Sequence, residues 1–212
     1  MDDGPRGPAP WHGRTVPVRL APPPYAVRTR AQLDCPEPWT DAVVAALGAA
    51  GVDIDRSAPV GIAVAPARLV SATVDGWSVD SLPHVLVGVQ PWAVDIGPWV
   101  APGVGPCARC VAAVVLDDGA DPVAGAAPRP LLALAAGAVA RDLIGWSRGE
   151  LPHTWLTSWR VDHHPLPTAR RWQRHPYCGC AWFEAGPDTA CGERGSPPLA
   201  VELALHRPQV GA

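Results

Sequence analysis

Six cysteines stand in 212 residues, and four of them form two tight pairs: Cys107-Ala108-Arg109-Cys110, a C-x-x-C, and Cys178-Gly179-Cys180, a C-x-C. Two close pairs from distant stretches must meet in space if they share one partner, which constrains the fold more than any other feature. Each tight turn presents two sulfurs about 3.5–4 Å apart, and bonds of about 2.3 Å from zinc to four thiolates close a tetrahedron. Pro106 fixes the approach to the first turn, and Gly179 allows the second to be tight. Three other readings compete: a redox disulfide, the disulfide framework of a secreted protein, and buried thiols without a ligand. A redox C-x-x-C is expected at a helix N-terminus after a strand, and it needs no second pair. The N-terminal stretch MDDGPRGPAPWHGRTV has no basic segment followed by an apolar one, so it does not read as a secretory signal; a cytoplasmic location is expected. With sulfur in all four positions, Zn2+ bound here would be structural, with no open site for a catalytic water. His175 is a candidate to replace one sulfur, and Cys35 and Cys191 read as plain thiols.

Composition narrows the function. Hydrophobic residues make up 48% and charged residues 17%, which is globular, while 27 prolines and 21 glycines forecast long irregular loops. One domain with a real core is expected at this length. A net charge of -3 gives no basic footprint for a phosphate backbone, so nucleic acid is a poor partner. The basic residues are all arginine, which removes Schiff-base and P-loop lysines. No H-E-x-x-H, G-x-S-x-G or G-x-x-x-x-G-K-[ST] occurs. Gly103-Val104-Gly105-Pro106-Cys107-Ala108 fits G-x-G-x-x-A only superficially. Pro106 lacks an N–H that a phosphate would need, Cys107 belongs to the sulfur cluster, and no βαβ unit is expected to open there. Ser158, Asp162 and His163 read as a chance grouping, so no catalytic residue is assigned. Arg170-Arg171-Trp172-Gln173-Arg174 is the one basic cluster. On a strand, Arg170, Trp172 and Arg174 would share one face and Arg171 and Gln173 the other. It reads as a solvated edge strand, or as contacts from Arg170, Arg171 and Arg174 to an acidic partner surface, peptide or nucleic acid.

Residues 1–38 are proline-rich and read as an arm or edge strand, with a strand over Val16–Leu20. Thr40 is expected to cap a helix running to Gly51. Val60–Val64 and His84–Val89 read as buried strands, Thr73–Leu82 as a loop and Gln90–Ala93 as a turn. Val94–Val100 reads as a strand that Pro98 places at a sheet edge or ends. A loop over Asp117–Pro128 leads to a helix over Arg129–Trp146. Strands at Thr154–Val161 and Thr168–Arg174 flank a turn at His163-His164-Pro165. The Leu131–Ile144 segment is apolar around most of its circumference, which suits a core or a homodimer face. The helix candidate Pro130–Trp146 that contains it is interrupted by Arg141 and Asp142 and is too short to span a bilayer comfortably. The order of elements predicts a mixed α/β fold with a partial open sheet, and no repeat is present.

The block Asp95–Cys110, DIGPWVAPGVGPCARC, and the block Arg171–Trp182, RWQRHPYCGCAW, resemble a known family. They look like the ThiF-like, ubiquitin-activating-enzyme-like proteins that accompany azole-forming cyclodehydratases in peptide natural-product clusters of actinobacteria. These are the TOMM precursor leader peptide-binding, or bacteriocin biosynthesis cyclodehydratase domain, proteins. Their pattern GP-x-V-x-PG-x-x-x-C-x-x-C with a later H-P-x-C-G-C-A-W is matched almost position for position. The match covers residues 84–182, with weaker agreement from residue 40. The resemblance implies an α/β fold with a partial Rossmann-like, ThiF-type open sheet and a four-cysteine zinc site joining the central and C-terminal parts. It divides the chain into an arm at 1–38, a zinc-bound domain at 39–185 and a tail at 186–212. It further implies a catalytically silent relative of adenylating enzymes, which binds a precursor peptide and presents it to a YcaO-type partner that consumes the ATP. The products would be thiazole/oxazole-modified, bacteriocin-like peptides. The zinc ligands carry over onto Cys107, Cys110, Cys178 and Cys180, and no other functional residue does. Members of that family carry an N-terminal winged-helix-like element that captures the leader. Residues 1–38 are too few and too proline-rich to form it, so a shortened scaffold is expected. Two alternatives stay open: a degenerate adenylating enzyme, against which the missing lysine and Gly-rich loop speak, and a zinc-stabilised nucleic-acid or regulatory module using Arg170, Arg171 and Arg174.

Overall fold

A computed structural model describes residues 28–119, 129–164 and 166–181. Short runs of valine, isoleucine and alanine bounded by proline or glycine form strands β1 (Thr29–Asp34), β2 (Val52–Ile54), β3 (Gly61–Pro66), β4 (His84–Gln90), β5 (Ala93–Val100), β6 (Thr157–Val161) and β7 (Thr168–Arg171). They make one seven-stranded sheet in the order β2-β1-β3-β4-β5-β6-β7. The first four strands are mutually parallel, and β5, β6 and β7 continue as antiparallel neighbours. Helix α1 (Glu37–Ala49) links β1 to β2 and α2 (Ala72–Val79) links β3 to β4, while β2 runs into β3 without a helix. The fold is therefore mixed α/β, and its likeness to a Rossmann sheet is approximate.

Both faces of the sheet are covered, which explains why β4 is apolar along almost its whole length. Val85, Val87 and Val89 face one way and pack with α1 and with α4 (Arg129–Ser147). Trp39, Val43 and Leu47 of α1, and Leu132, Ala135, Ala136, Val139 and Leu143 of α4, recur at helical spacing and meet them there. Leu86 and Ala63 face the other way, against α2 and α3 (Ala108–Asp117). Asp142 is buried within α4 yet satisfied: its carboxylate accepts from His153 N at 3.1 Å and from Thr154 N and Oγ1 at 3.0 and 2.7 Å. That cluster ties α4 to the chain entering β6. Among the described residues no helix is long and apolar enough to cross a membrane.

Several expectations need correction. The proline-rich stretch 1–38 holds β1, which lies inside the sheet between β2 and β3 rather than at an edge. Helix α1 begins at Glu37, a turn before Thr40, because Pro36 and Pro38 suit a first turn whose N–H groups have no intrahelical acceptor. Thr40 Oγ1 donates back to Pro36 O at 3.1 Å. Residues expected to be a loop form α2, capped by Ser71, whose Oγ accepts from Val74 N at 3.1 Å. Helix α3 fills a stretch for which no element was expected. Strand β5 is internal, and its proline is accommodated by a bulge. Val85 pairs with Trp99 and Val87 with Ile96, so Gly97 and cis-linked Pro98 together stand opposite Leu86, outside the regular ladder. Gly97 has φ +90°, and a side chain there would meet Thr157 O at 2.6 Å. Strand β7 stops at Arg171 because Trp172 turns into the core, where its Nε1 donates to Ser158 Oγ at 2.8 Å. The strand expected at Val16–Leu20 and the tail at 186–212 lie outside the described residues.

Candidate metal centre

Strand β5 hands the chain to a short loop pinned by a bridge between Ala101 and Val104, and Cys107 then takes the N-cap position of α3 in an extended conformation. Cys110 lies one turn inside, fully buried. From the other direction, the segment after Trp172 runs across the same loop. Arg174 Nε donates to Gly105 O at 2.8 Å and its Nη2 to Gly103 O at 3.2 Å. A turn closed by Cys178 N donating to His175 O at 3.0 Å leads into a single 3-10 turn at Gly179–Ala181.

The two sequences of turns bring four sulfurs together. Cys107 Sγ lies 3.6 Å from Cys110 Sγ and 3.5 Å from Cys178 Sγ, and Cys110 Sγ lies 3.4 Å from Cys180 Sγ. All four ligand atoms fall within 4.8 Å of one another. A tetrahedron of sulfurs around a metal with bonds of about 2.3 Å has edges of about 3.8 Å, so the cluster can hold a metal ion with little movement. The setting itself does not separate a metal site from a redox pair, because this C-x-x-C does follow a strand and open a helix. The second pair, in contact with the first, supplies the four ligand atoms that a metal site needs.

The thiols also perturb one another electrostatically. The Cys107 thiol donates to Cys110, which outweighs the opposing effect of burial; with a further backbone donor from His175, this brings Cys110 down to about 4. Cys107 is pushed far up because it is the donor in that pair and is partly buried. Burial chiefly, then the neighbouring thiols, pushes Cys180 up to about 11. The positive charge of a bound metal would favour the thiolate form of its cysteine ligands. His175 is not among the clustered ligand atoms; its Nε2 lies 3.2 Å from Asp117 Oδ2. Cys35, at the end of β1, stands apart, its thiol pushed up to about 11 mainly by burial. Cys191 lies outside the described residues. Arg109, inside the C-x-x-C, makes a two-pronged contact at 2.8 Å with Asp75 of α2, a tie that the sequence alone did not reveal.

The basic cluster does not form the expected face, since Trp172 is in the core between Arg170 and Arg174. Arg170 pairs with Asp118 at 2.6 Å and sits over the Trp172 ring at 4.4 Å, while Arg174 is folded onto the loop before Cys107. Arg171 is exposed on β7. Ser158 is buried and accepts from Trp172, and Asp162 accepts from His164 N at 2.7 Å at an exposed hairpin.

Solved structures share the fold of this chain. The fold is similar to part of the heterocyclase TruD. The TM-score is 0.59 at 18% identity, over 76% of this chain and 29% of that chain. A heterocyclase in complex with substrate and cofactor gives 0.58 at 18% identity, over 74% and 26%. The chain spans less than a third of either heterocyclase, and the likeness is one of fold. E. coli MccB matches at 0.46 and 14% identity, over 61% of this chain and 45% of that chain, too distant to carry an argument. No protein-family model and no curated protein matches the chain.

Proposed function

We propose that this chain is a non-catalytic, zinc-bound scaffold that works with a YcaO-type cyclodehydratase, presenting or supporting a precursor peptide in thiazole/oxazole formation. The four-sulfur cluster carries the reading. Four soft donors near tetrahedral spacing suit Zn2+ over hard cations, and Cys107, Cys110, Cys178 and Cys180 would hold it. When bound, the ion supplies structure: it would fasten the C-terminal segment to α3 and to the loop that precedes it. Support for the partner comes from the two joined cysteine motifs and from the likeness in fold to parts of two heterocyclases, one solved with its substrate and cofactor. A chain with no lysine and no Gly-rich phosphate loop leaves the ATP-consuming step to that partner. The zinc-bound unit is assigned from about Thr29, where β1 joins the sheet, to the second cysteine pair.

Affinity purification of the tagged chain from its native host, with mass spectrometry of what is retained, tests this. A YcaO-type enzyme or a short Cys/Ser/Thr-rich precursor peptide is expected. Recovery of neither, from a chain that is folded and metal-loaded, contradicts the scaffold role.

A further inference from the structure

A second site lies away from the sulfurs, on the α3 side of the sheet, in an open cleft lined by Arg68, Asp95, Ser158, Arg160, Thr168 and Arg170. Its floor is a buried cation. Arg68 is 6% exposed, and Ala67 and Arg68 are both in the left-handed region, at φ 47° and 55°, which turns the chain sharply where β3 ends. The guanidinium donates through Nε to Gly97 O at 3.0 Å and lies over the Trp172 ring at 5.0 Å. Its Nη2 has no hydrogen-bond partner among the described residues; the nearest carboxylate oxygen, Asp95 Oδ1, is 3.6 Å away.

Asp95 does not belong to Arg68 alone. Arg160 Nη1 approaches its other oxygen at 3.4 Å, while Arg160 Nη2 donates to Gln90 Oε1 at 2.8 Å. Arg170 closes the third side, paired with Asp118. Arg160 is also drawn away by Asp162, whose Oδ2 lies 3.9 Å from its Nε, and Arg68 is left buried with an unused donor. Burial chiefly brings Arg68 down to about 10; Asp95 opposes this, and Arg170 and Arg160 add to the lowering. An unsatisfied donor on a buried cation is costly, and an incoming anion would remove that cost.

We infer that this cleft binds one carboxylate group, of an acidic side chain or a small organic acid, between Arg68 and Arg170. The planar fork of a guanidinium matches two carboxylate oxygens, and Ser158 and Thr168 add hydroxyls on the cleft wall. The inference stands on the cleft alone and does not depend on the metal or on the proposed partner.

The test uses the full-length, metal-loaded chain, titrated with acetate and, separately, with inorganic phosphate, while the Trp172 indole N–H signal is followed by NMR. Saturable shifts with acetate are expected, and phosphate is expected to bind no more tightly. Arg170→Gln should weaken acetate about tenfold by removing a charged donor. Asp118→Asn, a surface change that releases Arg170 from its competing carboxylate, should tighten it about threefold. Absence of saturable acetate binding, a clear preference for phosphate, or acetate affinity unchanged in both variants would overturn the inference.

Discussion

His84 opens β4 with no exposed surface, and its ring nitrogens have different roles. Nδ1 lies 2.9 Å from Leu82 O; a carbonyl can only accept, so Nδ1 carries the proton. Nε2 is then the atom that titrates, and it is buried without a hydrogen-bond partner among the described residues. Burial holds the pKa of His84 below the usual histidine value, against the smaller opposing pull of Leu82 O. A depressed value means that the unfolded chain takes up the proton first. The neutral native form therefore contributes its full stability above about pH 6.5, and the contribution is lost as pH falls through that value. Urea unfolding at pH 7.5 and 5.5 should show a larger acid loss in the wild type than in His84→Leu. Equal losses would remove His84 as a source of acid sensitivity.

Among the elements, the close fit of α2 against β3 is the most exposed to a single change. A Cβ added at Gly61 would stand 2.7 Å from the Trp77 ring, which is itself buried and hydrogen-bonded through Nε1 to Gln32 Oε1 at 3.0 Å. Gly61→Ala should therefore cost about 1–3 kcal/mol of stability, as over-packing does elsewhere, measured as a shift in urea midpoint at unchanged slope. A neutral substitution would mean that Trp77 moves freely. The buried strands β3 and β4 were legible in the sequence because proline-bounded apolar runs have few other uses. Helix α2 was not: ATVDGWSV carries Gly76, Ser78 and Asp75, and only Val74 and Trp77 bury, so tertiary packing and the Ser71 cap decide it. Helix α3 did leave a readable signal, since Ala108, Val111 and Val115 recur at helical spacing, but the signal overlaps the cysteine motif. The central place of β5 was hidden by Pro98, which signals an edge unless a bulge is foreseen.

On the scale of the whole molecule, one face of the sheet is closed by α1 and α4, and the other by α2, α3 and the incoming Trp172. Among the described residues beyond Trp172, none is buried. The hydrogen bonds of Arg174 and the sulfur cluster hold this segment, and a metal ion would make that attachment firm. Structural zinc sites contribute about 10–16 kcal/mol of apparent binding energy, comparable with the 5–15 kcal/mol stability of a domain. Removing the metal with a strong chelator should open the 172–181 segment to trypsin at Arg171 and Arg174, while backbone amides of β4 keep the slowest hydrogen exchange in the chain. Unchanged trypsin resistance after chelation would mean that the segment is held without metal. The meeting of the two cysteine pairs was legible from their spacing and chemistry alone. The roles of Arg170 and Arg174 were not, because strand periodicity cannot show that Trp172 leaves the strand for the core or that Arg174 folds onto the loop before Cys107.

The most direct measurement is the metal content per chain, by inductively coupled plasma mass spectrometry, of protein purified without added metal, alongside Cys178→Ser prepared in the same way. One zinc ion per wild-type chain is expected, with the metal lost and the protein misfolded in Cys178→Ser. A folded wild-type chain without zinc, or a soluble and fully loaded Cys178→Ser variant, would contradict the account.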